Sequence, residues 1–268
     1  MTNTKQPIGM MDSGIGGLTV ANAVFRLLPN EDYIYFADAG HIPYGNKTVE
    51  QIQQYCLAIT DFFLKKNCKA IVVACNTATA AALPLLRKTY PEIPFIGMEP
   101  AVKPAVSHTR THTIGVLATT GTISSKRYKS LTRKYANDIR VLQNPCTGLV
   151  PMIEAGKKND PDVRALLQRV LSPMLEKNAD TFVLGCTHYP FVRSVIERLV
   201  PKEATIIDPA PAIARQVRKI LGESGKLTTN QNSQKQFFTT GNKKAMEWGL
   251  SEIMESAISE IIEIELLI

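Results

Sequence analysis

Short apolar runs alternate with longer amphipathic stretches along most of the chain. "PIGMMD" reads as a strand, and "GGLTVANAVFRLL" follows with Leu18, Ala21, Val24, Phe25 and Leu28 at helical spacing. "DYIYFAD" is a second strand. "TVEQIQQYCLAITDFFLKK" is an amphipathic helix, with Thr48 and Gln51 placed to form a capping box. Strand "KAIVVA", helix "TATAAALPLLRK" and strand "IPFIGM" continue the alternation. This pattern predicts an α/β fold, a mostly parallel sheet with helices on both faces.

The pattern then repeats itself. "IGMMDSG" from Ile8 is echoed by "IGVLATTG" from Ile114, "AIVVACNT" from Ala70 by "TFVLGCTH" from Thr181, and "IGMEPA" from Ile96 by "IIDPA" from Ile206. The echoes keep their order at offsets of 106, 111 and 109 or so residues, as counted from Ile8, Cys75 and Pro100. Such a near-constant offset implies a duplication, hence two similar doubly wound domains related by pseudo-symmetry. Beyond "GESG" (Gly222 to Gly225) the echo stops. There "KQFFTTG" is expected as an edge strand, and "NKKAMEWGLSEIMESAISEII" as a helix with Met254, Ala257, Ile258 and Ile261 on one face. That face suits either docking on the core or a dimer contact.

Ligands of parallel α/β sheets bind at the carboxyl ends of the strands. Cys75 and Cys186 end equivalent strands there, one in each half. Cys56, Cys68 and Cys146 read as packing residues. An odd count of five cysteines without a CxxC pair argues against a disulfide framework and against zinc. A helix following each strand would aim its N-terminus at the thiol and favour the thiolate. A thiolate and a thiol on opposite faces of one carbon make a two-base proton exchanger, which inverts that carbon. Cys186 with His188 also fits a nucleophile and its base, the pairing of a Cys/His hydrolase. A bilobal amino-acid-binding module without chemistry is a third reading, which the paired thiols oppose.

Bulk properties narrow the field. At 268 residues, 44% apolar and 21% charged, the chain reads as an ordinary globular protein of one large or two average domains. No apolar run is long enough to span a membrane, and the N-terminus lacks the apolar core of a signal peptide, so a cytoplasmic location is the default. The net charge of +7 suits an anionic ligand, but the basic residues are scattered and not interleaved with aromatics. Nucleic-acid binding is therefore not expected as the main function.

"DSGIGG" (Asp12 to Gly17), "IPYG" (Ile42 to Gly45), "ACNTA" (Ala74 to Ala78), "GCTHYP" (Gly185 to Pro190) and "DPA" (Asp208 to Ala210) together resemble the glutamate racemase family. The resemblance implies racemisation of glutamate for bacterial peptidoglycan, without pyridoxal phosphate, metal or any other cofactor. It implies an active site in the cleft between two domains, with Cys75 and Cys186 as the two proton acceptors and donors. Asp12 and His188 would support them, with Glu154 a further acid on the Cys186 side. Ser13, Pro43, Tyr44, Gly45, Asn76, Thr77, Thr119, Thr122 and Thr187, with Asp12 and His188, would form the substrate shell. Asp12 and Ser13 would also suit capping of the helix that follows. Racemisation of aspartate or another amino acid remains open.

The resemblance further implies that the chain returns to the first domain after the second is complete. The expected division is 1–97 plus 206–268, and 98–205. A homodimer is expected, with no membrane partner. His41 stands where many members of the resembled family carry Arg. Asp12 lies close to the start, so no activation through an N-terminal extension is expected.

Overall fold

The two echoing halves build two parallel sheets. The computed structural model describes residues 4–229, 232–254 and 260–266. In the first half, strands β1 (Ile8–Asp12), β2 (Tyr33–Ala37), β3 (Ala70–Val73) and β4 (Phe95–Gly97) alternate with helices α1 (Leu18–Leu27), α2 (Val49–Lys65) and α3 (Asn76–Thr89). After α4 (Val102–His108), the second half supplies β5 (Thr113–Leu117), β6 (Arg140–Asn144), β7 (Thr181–Leu184) and β8 (Thr205–Ile207). Between and after these lie α5 (Thr120–Ser124), α6 (Lys126–Tyr135), α7 (Leu149–Glu154), α8 (Pro161–Leu175), α9 (Arg193–Leu199) and α10 (Ala210–Glu223). The chain then adds β9 (Lys235–Thr239), α11 (Lys243–Ile253) and β10 (Ile261–Glu263).

The sheet orders show the duplication. The first sheet runs β10-β9-β2-β1-β3-β4 and the second β6-β5-β7-β8, so four strands of each follow one order. Register agrees too. Ile8 pairs with Ala70 as Ile114 pairs with Thr181, and these are the residues that echo each other in sequence. Every pairing between described strands is parallel.

Central strands are buried on both faces, which is why they read as continuous apolar runs. In β3, Ala70 and Val72 join one core cluster while Ile71 and Val73 join another. The first of these cores is shared. It runs from Ile8 and Leu18 through Leu149 and Leu167 to Phe182 and Leu184, so one apolar mass joins the two halves. The capping box at Thr48 and Gln51 is present. Among the described residues no helix is long and apolar enough to cross a membrane.

The chain after Gly225 differs from expectation. β9 is an interior strand held between β2 and β10, and β10 forms the edge. α11 ends at Ile253, Met254 is extended, and Ile261 pairs with Phe237 in the sheet. Ala257 and Ile258 lie outside the described residues. At Ile261 the helical spacing was overridden by an open sheet edge that accepts another strand. α11 itself docks: Met246, Gly249 and Leu250 are buried, and Trp248 stacks on Phe191 with ring centroids 5.4 Å apart.

Candidate active site

Cys75 stands at the junction of β3 and α3. It is the N-cap of that helix, and the Ala78 N–H donates to its Sγ at 3.4 Å. The helix N-terminus is thus aimed at the thiol, as expected. Burial nevertheless dominates. It pushes the Cys75 thiol well above its ordinary value; the nearby Asp12 carboxylate pushes it further, and the Ala78 hydrogen bond only partly offsets this. The helix N-terminus lowers the thiol's pKa less than burial raises it, so the net shift favours the thiol, which corrects the expectation of a helix-stabilised thiolate.

Asp12 ends β1 behind Cys75 and is 2% exposed. Its Oδ2 accepts from the Gly17 N–H at 2.6 Å and the Thr187 hydroxyl at 3.4 Å, while Oδ1 has no hydrogen-bond partner. Burial raises its pKa, opposed by the charge of His188 and by the backbone N–H groups of Gly17 and Ser13. The expected capping of α1 takes a different form. The N-cap residue is Gly17, and the Asp12 carboxylate binds its N–H from across the loop.

Cys186 is built differently. No α-helix follows β7 directly; a short 3-10 turn spans Tyr189–Val192 before α9. The expected helix N-terminus at this thiol is absent because Pro190 and the packing of Tyr189 and Phe191 hold a tighter turn. The companion here is His188, whose Nδ1 lies 3.7 Å from Cys186 Sγ. Its Nε2 lies 2.6 Å from Glu154 Oε1, which also accepts from the Ile15 N–H at 2.9 Å. Burial alone would strip the proton from this imidazole. The hydrogen bonds to Cys186 and Glu154 outweigh it and hold His188 well above its ordinary pKa.

The "GIGG" loop explains itself here. A Cβ on Gly14 would lie 2.1 Å from Glu154 Oε1, and one on Gly16 would lie 2.4 Å from His188 Nδ1. The loop from the first half touches the acid–imidazole pair of the second, and only glycine fits.

Both thiols line one small, tight cavity. Ser13, Pro43, Tyr44, Gly45, Asn76 and Thr77 line it from the first half. Thr119, Thr187 and His188 line it from the second, with Val150. Asp12, Glu154 and Thr122 do not line the wall; each stands behind it on a lining residue. Thr122 does so by hydrogen bonds to Thr77 at 3.3 Å and Thr119 at 3.1 Å, and Thr77 and Thr119 are 2.8 Å apart. Asn76 is 3% exposed, yet its side-chain Nδ2 and Oδ1 have no partner. A buried amide with nothing to bind is a ready donor and acceptor for a ligand. The lining holds no lysine or arginine, so carboxylates would meet hydroxyls, the amide and backbone N–H groups.

The Asp/Glu/Hydantoin racemase family matches residues 8–217. A glutamate racemase of Ectopseudomonas mendocina is 46% identical over 247 residues, which cover 92% of this chain and 94% of that protein. The chain belongs to this racemase family. The crystal structure of glutamate racemase isoform RacE1 from Bacillus anthracis matches 98% of this chain and 99% of its own, at TM-score 0.89 and 34% identity. A Francisella tularensis glutamate racemase solved in complex with D-glutamate matches 98% of each chain, at TM-score 0.85 and 34% identity.

Membership makes the chain a racemase of the α/β, two-sheet architecture seen in those structures. Among the described residues no group of three or more His, Cys, Asp or Glu side chains is placed to hold a metal ion. Cys56, Cys68 and Cys146 are buried and free. Sequence reasoning missed Val150, which has no chemical signature to betray it. Its place follows from α7, whose other end carries Glu154.

Proposed function

We propose that the protein interconverts L- and D-glutamate by proton transfer at Cα between Cys75 and Cys186. The observation that carries this reading is that two thiols from equivalent strand ends of a duplicated fold line one small cavity. In each direction one thiolate takes the Cα proton, and the opposite thiol donates its own proton to the other face of the carbanion. The first cysteine ends protonated and the second ends as thiolate, so charge and protons balance. Burial raises the Cys75 pKa, so its thiolate forms only when substrate brings compensating charge. The substrate ammonium supplies it, held near the Asp12 carboxylate. Asn76, Thr77 and Thr119 offer neutral donors to the carboxylates, and His188 contributes a positive charge beside Cys186. Preorganised dipoles of this kind stabilise the developing negative charge without reorganisation.

The same reading carries the supply of D-glutamate for peptidoglycan, a cytoplasmic location and a homodimer; fractionation and sedimentation velocity check the last two. It takes the two sheets as the cores of two domains, 1–97 plus 206–268 and 98–205. Gly97 closing β4 supports the first limit; β8, Thr205–Ile207, pairs with β7 in the second sheet, so the return to the first domain is better placed just after Ile207 than at 206.

Incubation of L-glutamate with the protein in heavy water tests the reaction. The expected product is D-glutamate carrying deuterium at Cα. Absence of both the D-isomer and the label would sink the proposal. Label and inversion with aspartate in preference to glutamate would transfer it to that substrate.

A further inference from the structure

The loop that carries Tyr44 and Gly45 to the cleft has little backbone structure of its own. It consists of two 3-10 turns, Ala39–His41 and Tyr44–Asn46, held by single contacts such as Lys47 N–H to Tyr44 O at 3.1 Å. One side chain gathers three of its side-chain contacts. Asp38, fully buried just after β2, accepts from the Tyr44 hydroxyl at 2.6 Å through Oδ2. Its Oδ1 accepts from the Thr240 hydroxyl at 2.8 Å and faces His41 Nδ1 at 2.8 Å. A buried carboxylate must be met by donors, and hydrogen bonds to it are strong and directional. Of the three donors, His41 is the one able to carry charge. Its ring lies flat on Tyr55, with centroids 4.2 Å apart and planes 17° apart, and Tyr55 also packs against Tyr44 at 5.7 Å. His41 thus touches both things that fix Tyr44, the carboxylate and the neighbouring ring, without lining the cavity itself.

We infer that His41 is a positioning residue for substrate binding, acting through Asp38 to fix Tyr44 and Gly45 at the cavity wall. This rests on the glutamate reading for its kinetic consequence but not for its structural one. With His41 absent, Asp38 loses a donor and turns toward solvent or toward Thr240. The Tyr44 hydroxyl follows it, and the wall opposite Thr119 loosens. The two contacts of His41 can be separated. His41→Phe keeps the ring on Tyr55 and removes the donor. His41→Asn restores a donor at the position of Nδ1 and removes the ring.

Two measurements on the whole chain test the inference. The first is racemisation of both glutamate enantiomers. In His41→Phe the KM is expected to rise about tenfold with kcat within about twofold of the parent, the signature of lost binding common to ground and transition states. In His41→Asn the KM is expected near the parent value. The second is the 13Cζ tyrosine NMR signal of Tyr44, assigned by its loss in Tyr44→Phe. It is expected to move in His41→Phe and to return in His41→Asn. An unmoved Tyr44 signal in His41→Phe overturns the inference, whatever the substrate proves to be. So does a KM unchanged while thermal stability falls, which would make His41 structural only. A parent protein inactive on glutamate overturns the substrate reading, and the Tyr44 signal still decides the positioning.

Discussion

The two walls of the cleft come from one duplicated scaffold and have diverged in their chemistry. On the Cys75 side the thiol caps the regular helix α3 and meets a carboxylate, Asp12. On the Cys186 side the helix has given way to a 3-10 turn, and the thiol meets an imidazole held by Glu154. A carboxylate neighbour raises the cost of a thiolate, whereas a protonated imidazole lowers it. The walls are also not independent. The Thr187 hydroxyl reaches Asp12 at 3.4 Å, and the Ile15 N–H reaches Glu154 at 2.9 Å, so each wall is braced by the other's loop. Duplication thus supplies the placement of the two thiols, and divergence sets a carboxylate beside one and an imidazole beside the other.

The most severe way to break this comparison is to remove either thiol. Cys75→Ser and Cys186→Ser are each expected to lower racemisation by about 10³-fold or more, because a serine hydroxyl cannot serve as the base at neutral pH. Both variants should keep the parental melting temperature within a few degrees. A Cys75→Ser protein that still racemises at the parental rate would show that one side suffices and that the pairing is structural.

The supporting groups sharpen the comparison. Asp12→Asn and His188→Asn are each expected to cost about 10²-fold in kcat. Enantiomers have equal free energy in water, so kcat/KM must fall equally in both directions, and that ratio cannot reveal which wall was damaged. The deuterium isotope effect at Cα can. Slowing the proton transfer at one thiol makes that step limiting for the enantiomer it deprotonates. The isotope effect should therefore grow for one enantiomer in Asp12→Asn and for the other in His188→Asn. Growth for the same enantiomer in both would show that the two groups serve a single thiol.

How much of this was legible beforehand depends on distance along the chain. The strand–helix alternation and the equivalence of Cys75 and Cys186 are local patterns repeated, and the sheet orders and registers agree with them. Tertiary competition was not legible. Ile261 lies at helical spacing, yet it joins a sheet edge left open beside β9. The turn after Cys186 echoes the stretch after Cys75 in composition, but Pro190 and a buried Tyr189 change its geometry. The reason for Gly14 and Gly16 lies in Glu154 and His188, more than a hundred residues away. The sign of the Cys75 shift was missed because a helix N-terminus is visible in sequence and complete burial is not.

Glu154→Gln is a smaller perturbation of the Cys186 side. It keeps the shape and removes the carboxylate charge that helps hold the proton on His188. The His188 pKa is expected to fall, moving the corresponding limb of the pH–rate profile to lower pH. The loss of rate at the parental optimum should be about tenfold. An unshifted profile would mean that Cys186 alone sets the state of the imidazole.

The smallest effect expected is on stability, and its sign follows from linkage. His188 is raised in the folded protein above its ordinary value of about 6.5. Protonation therefore favours the fold. The contribution is complete below that unfolded pKa and is lost as pH rises through the higher folded one. The melting temperature of the parent should accordingly decline from about pH 6.5 upward more steeply than that of His188→Asn, by about 3 °C over the accessible range. Asp12 and Cys75 are raised as well, and each also loses stability with rising pH. They titrate in both proteins, and because the His188 charge also lowers the Asp12 pKa, the difference between the two melting curves reports His188 together with that coupling. Asn removes packing contacts too, but that offset is independent of pH. The slope of the difference is the readout. A flat difference would mean that His188 does not gain its proton from the fold, and the contrast between an imidazolium wall and a thiol–carboxylate wall would lose its electrostatic basis.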